Sequence, residues 1–210
     1  MKNFYLITIS LLIFAGFVSG QNSSYKYQIG IEGGPSLSAI RYNAFFFPSK
    51  YCDIGPGGMA GLVFQYSLTE EFGIKAILSY ERLTLSEADL IPDYWWNYIA
   101  LPVLGQLDFG RSKRFYAELG PFFGYALSMT ESDYYRKFNC GLTVGIGARF
   151  PISNQFYLTF GIRNNLGLYN ISNNLTYLDK HGDPVTEIEN RYTSSTAVIL
   201  GIIYSQKKKK

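Results

Sequence analysis

"NYIALPVLGQLDFG", residues 97–110, is almost entirely apolar, too short to span a bilayer as a helix, and carries Pro102 at its centre. Read as an extended strand, it sorts by parity. Ile99, Leu101, Val103, Gly105, Leu107 and Phe109 lie on one face; Tyr98, Ala100, Pro102, Leu104, Gln106 and Asp108 lie on the other. The first face suits hydrocarbon and the second a narrow interior. Pro102 removes one ladder donor, so a bulge or irregular pairing is expected there.

The same alternation recurs in eight stretches: 27–37, 58–68, 72–83, 97–109, 114–129, 138–150, 156–171 and 192–204. Connections alternate between tight ("TEE", "GRSK", "PISNQ") and long (38–57, 84–96, 130–137 and 172–191). Tight turns at one end and long loops at the other mark an up-and-down outer-membrane barrel with its termini on the periplasmic side. One face of each stretch is continuously greasy, as in Leu142, Val144, Ile146, Ala148 and Phe150. The opposite face holds Gly141, Thr143, Gly145, Gly147 and Arg149.

A water-facing sheet would also alternate, but it would fill its second face with long charged side chains. Glycines and a few charges suit a tight bore instead. Lipid offers no hydrogen-bond partner, so the sheet must close. The expected fold is all-β: a closed, antiparallel, eight-stranded transmembrane β-barrel. Phe72, Tyr80, Phe109, Phe115, Phe150 and Tyr204, near the stretch ends, are expected as interfacial girdles.

The 210 residues include 18 Tyr and 16 Phe, with 19 basic and 16 acidic side chains. Five of the basic residues are Lys2 and the terminal Lys207–Lys210, which leaves 14 against 16 acidic, with no basic face for nucleic acid. Lys2, the apolar run 4–18 and the small residues Ser19 and Gly20 read as a secretory signal cleaved before Gln21. The expected organisation is a signal at 1–20, a barrel at 21–205 and a basic periplasmic tail at 206–210.

"YIALPVLGQLDF", "RFYAELGPFFGYAL", "FNCGLTVGIGARF" and "RNNLGLYNI" together resemble successive strands of the PorT-like outer-membrane β-barrel proteins. The resemblance rests on Tyr98, Pro102, Gly120, Pro121, Gly145, Gly147, Gly167, Leu168, Asn170 and Ile171. Two positions depart from the pattern: Ala100 stands where an acidic residue is common, and Gln106 where a basic one is. The resemblance implies fold and location, and implies no activity.

By parity the inward charges are Glu32, Lys75, Glu81, Asp108, Glu118, Arg149 and Arg163, a polar network expected to fill the bore. Phe45, Phe46, Phe47, Tyr94, Trp95 and Trp96 are expected as an aromatic surface on the outer loops, anchoring in the interface or recognising a ligand or protein. Cys52 and Cys140 fall at the same end and could form a disulfide. His181, the only histidine, lies between Asp179 and Asp183 in the longest loop. It offers weak ground for a lipid-modifying triad or a metal site, and neither a metal nor a cofactor is expected. The function expected is non-enzymatic: outward loops for binding or adhesion, or a subunit of an envelope or secretion assembly. The partners are membrane lipid and possible protein partners at the loops or the periplasmic side. A lipid-modifying enzyme and a narrow passive channel are the alternatives.

Overall fold

A computed structural model describes residues 25–42, 50–51, 53–86, 94–130, 135–173, 175–178, 184–187 and 190–207. In chain order the strands are β1 (Tyr25–Tyr42), β2 (Lys50–Tyr51), β3 (Asp53–Ser67), β4 (Phe72–Ser86), β5 (Tyr94–Phe109) and β6 (Phe115–Met129). They continue with β7 (Phe138–Pro151), β8 (Phe156–Gly167), β9 (Leu175–Leu178), β10 (Pro184–Glu187) and β11 (Arg191–Lys207). β1, β3–β8 and β11 pair antiparallel with their neighbours, and β1 with β11 closes the ring. β2 extends the ladder along the outer end of β1, while β9 and β10 form a separate hairpin within the last loop.

The register fixes the barrel's shape. From Tyr27 the pairs run through Tyr66, Ile74, Gly105, Leu119, Val144, Asn164 and Thr196, and return to β1 at Leu37, ten residues along. With eight strands about 4.8 Å apart and a rise of about 3.3 Å per residue, that stagger tilts the strands by about 40°. The bore is then of the width that side chains can fill.

The tight turns are chemically defined. In the β3–β4 and β7–β8 turns a hydroxyl closes the corner. Thr69 Oγ1 accepts from the Phe72 amide at 2.9 Å, and Ser153 Oγ from the Phe156 amide at 3.2 Å. The β5–β6 turn uses Gly110 at φ 85° and Lys113 at φ 48°. Lys113 Nζ reaches Glu70 at 2.8 Å and Glu71 at 3.7 Å, tying two turns together. The hydrogen bond to Glu70 holds the Lys113 ammonium above the usual lysine range.

Outward rows carry exposed Ile31, Leu62, Leu119, Val144, Ile146 and Leu200. Rings gather where the turns begin: Tyr27 contacts Phe64 and Tyr66, Phe109 stacks on Phe115, and Phe156 meets Tyr204. This continuous apolar face, held on a sheet without edges, is a lipid-facing wall.

Several expected boundaries move. β1 runs to Tyr42 and β3 starts at Asp53, so part of the expected first loop is strand. β8 ends at Gly167 rather than at Ile171, and β11 continues to Lys207 into the expected tail. Pro102 keeps its partner Phe122 on β6, but the ladder to β4 is open between Val103 and Ala100 with no change of register. The bulge lies instead between Asn97 and Tyr98. The expected signal, Phe45, Phe46, Phe47, Cys52, Asp179, His181, Asp183 and Lys208–Lys210 lie outside the described residues.

Candidate functional site

The bore is the most organised polar region of the molecule. Glu32, Lys75, Glu118 and Arg163 come from β1, β4, β6 and β8, every second strand of the ring. Tilted strands deliver side chains to one layer from alternate strands, so four charges meet at one level. Lys75 Nζ lies 3.0 Å from Glu32 Oε2 and 3.2 Å from Glu118 Oε2. Arg163 Nε lies 2.5 Å from Glu118 Oε1, and its Nη1 pairs with Glu32 Oε1. Two cations and two anions therefore alternate around a closed circuit, with every side chain at most 2% exposed.

The intervening strands leave room for it. Glu32 stands between Gly61 and Gly201, and Gly145 stands between Glu118 and Arg163. A Cβ on Gly145 would fall 2.7 Å from Glu118 Oε1. Tyr116 lies across Gly147 and Gly161 beneath the Lys75 ammonium, which is 5.7 Å from its ring centre. The inward glycines are thus the space that long charged side chains occupy.

Two further polar layers flank the circuit. Toward the turns, Arg149 Nη1 approaches Asp108 at 3.5 Å, and Gln106 donates to Asp108 at 2.7 Å. Toward the long loops, Glu81 accepts from Ser79 at 3.0 Å and from Asn165 at 3.2 Å, and Thr143 donates to Asn165 at 2.7 Å. A void of about 20 Å³ beside Glu81, Tyr98 and Asn139 is room for one water.

Above these layers an apolar cluster fills the outer mouth: Ile40, Leu83, Trp96, Tyr98, Ala126, Tyr135 and Ile171. Trp96 is fully buried, edge-on to Tyr135 with ring centres 4.7 Å apart. Arg191 donates to the Tyr135 hydroxyl at 2.8 Å, and Arg41 donates to the carbonyls of Gly167 and Thr193. Of the expected outer-loop aromatic surface, Trp96 alone is corrected here: Trp95 is exposed, Trp96 is buried, and Phe45, Phe46 and Phe47 lie outside the described residues. Tyr94, Trp95 and Trp96 belong to β5, and alternation continuing upstream of Asn97 turns Trp96 inward and Trp95 outward. Ile40 and Arg41 were missed because Ala39, Ile40 and Arg41 are all buried, so the two-residue period fails at that end of β1, and Arg191 was missed because it opens β11 inside the expected last loop.

Of the expected inward charges, then, Glu32, Lys75, Glu118 and Arg163 form one unit, Asp108 and Arg149 a second, and Glu81 a third with neutral partners. Cys140 is a free, half-buried thiol on β7. Among the described residues no group of three or more His, Cys, Asp and Glu gathers as metal ligands would.

No curated protein matches the sequence. Solved structures with the same fold include the outer membrane protein AlkL in lipid bilayers, at 10% identity and TM-score 0.53, covering 91% of this chain and 95% of that one. OprG of Pseudomonas aeruginosa aligns at 12% identity and TM-score 0.51, covering 90% of this chain and 100% of that one. Neisserial surface protein A aligns at 12% identity and TM-score 0.50, covering 86% and 97%. Residues 19–173 match the family described as outer membrane protein beta-barrel domain, and with its closed eight-stranded ring the chain belongs to that family.

Proposed function

We propose that this protein is a non-enzymatic outer-membrane scaffold with a blocked bore, acting through what its outer loops and rim present. That role is a binding or adhesion surface, or a subunit of an envelope or secretion assembly. The observation that carries it is the stack inside the barrel, where the Glu32–Lys75–Glu118–Arg163 circuit lies under the Trp96 and Tyr135 cluster. A solute crossing the bore would have to part four buried ion contacts and then an apolar seal, each costly in a low-dielectric interior. Chemistry in transit is thereby disfavoured, and the surfaces beyond the membrane remain as the working parts. The residues shared with the PorT-like pattern, Tyr98, Pro102, Gly120 and Pro121 among them, support placing the chain near that group.

Planar-bilayer recording on the purified barrel tests the blocked bore: no discrete conductance is expected, and steady unitary openings would overturn it. For the loops, a variant with residues 175–187 replaced by a short turn is expected to lose cross-linked envelope partners or surface attachment while the barrel stays folded. Unchanged cross-linking and attachment would remove that loop from the role.

A further inference from the structure

The outer wall is not uniformly bulky. On its lipid-facing side Gly33 and Ala60 sit among Ile31, Leu62, Leu78 and Leu200, leaving an apolar groove of about 790 Å³. That volume is within the range of pockets that hold a drug-sized ligand. The groove runs down the wall from Tyr80 and Ile99, near the loop end, toward Leu158, near the turn end.

One charge stands at its loop end. Arg82 is the next outward-facing residue after Tyr80 on β4, paired across to Gly58 and Asn97. Among the described residues it is the charged side chain on the outward rows of the eight barrel strands. It is exposed, and its guanidinium lies 5.6 Å from the centre of the Trp95 ring. Trp and Tyr settle at headgroup depth, so Trp95 and Tyr80 place Arg82 level with the headgroups of the leaflet on the loop side. An exposed arginine over an aromatic ring, with no acidic neighbour in contact among the described residues, presents a fork suited to a phosphate.

We propose that this face is a binding site for a phosphorylated glycolipid of the outer leaflet, with Arg82 on a phosphate and an acyl chain lying in the groove over Gly33 and Ala60. The charge complementarity lies at the outer-leaflet end, which selects that lipid over a phospholipid of the inner leaflet. The site is independent of the bore and of the loops.

The test reconstitutes the full barrel in phosphatidylethanolamine vesicles containing a small fraction of lipid A. After gentle extraction, the lipid retained on the barrel is measured by native mass spectrometry. Wild-type protein is expected to retain lipid A about five-fold above its bulk fraction, as one cation at the membrane surface implies. R82Q should abolish the enrichment, and R82K should keep part of it. A60F, which fills the groove from outside, should lower retention with Arg82 intact. Equal retention by wild type and R82Q would overturn the phosphate contact, and equal retention by A60F the groove. Equal enrichment of phosphatidylglycerol in parallel vesicles would overturn the assignment to the glycolipid. Heat-modified gel mobility of each variant shows that the barrel is folded.

Discussion

Lys75 serves two carboxylates at once, so its removal leaves more than one broken contact. In K75M, Glu32 and Glu118 face each other across the bore with Arg163 alone between them. Stranding a buried charge costs about 3–5 kcal/mol, and K75M should lower unfolding stability by that order in urea titrations of the vesicle-embedded barrel. The double variant K75M/E118Q leaves one acid with one base and should recover part of the loss. If K75M is as stable as wild type, the circuit does not hold the bore shut. At this scale the sequence was highly legible for charge. Within the hydrocarbon span an ionised side chain is favoured on the inward side alone, so seven inward charges could be named from parity, whereas Arg41 and Arg82, near the loop ends of their strands, fall outside that rule. Trp96 was misplaced because an aromatic is at home on either side of a barrel wall, and its position next to a long connection suggested a loop. Only the continued pairing of β5, with Trp96 opposite Met129, decides the matter.

Strands are where glycine and proline acquire meaning. Gly145 pairs with both Glu118 and Arg163, and the three nearest atoms a Cβ there would meet all belong to Glu118. G145A should therefore push the carboxylate off its cations and cost about 1–3 kcal/mol, as overpacking does. In an E118A background the same change should cost little. A double-mutant cycle that gives additive effects would separate the glycine from the circuit. Pro102 and Pro121 form a matched pair. Each keeps its partner on the following strand, and the ladder to the preceding strand opens beside it. Gly120, next to Pro121, comes close to the backbone of Val103 and Leu104. Irregular pairing near Pro102 was foreseeable from its missing donor, whereas the bulge at Asn97 and Tyr98 left no local mark. Strand centres were legible because hydrocarbon enforces alternation there. The outer extensions of β1 and β3, SAIRY and DIGPG, were not, because beyond the hydrocarbon Ala39, Ile40 and Arg41 are all buried and the two-residue alternation lapses.

For the molecule as a whole, the decisive question is what wets the outer wall. Leu119 and Ile152 show nearly equal exposure, 60% and 61%, so accessible area alone predicts that a charge would be tolerated equally at both. Their surroundings differ. Leu119 lies mid-strand on β6 among Gly105 and Val144, far from either girdle, whereas Ile152 lies in the β7–β8 turn beside Ser153. In a bilayer, arginine at the midplane costs about 2–4 kcal/mol and at the interface about 0–1 kcal/mol. L119R should accordingly lose roughly 2–4 kcal/mol in reversible unfolding from vesicles, while I152R loses less than about 1 kcal/mol. In water, each would fall within about 0.5 kcal/mol of wild type, as surface substitutions do. The contrast also separates the closed ring from a sheet merely resting on a membrane, because only a spanning barrel buries mid-strand residues on every strand in hydrocarbon. Equal, small effects at the two positions would mean that the greasy wall meets water. The lipid groove and the blocked bore would then lose the setting in which either has a function.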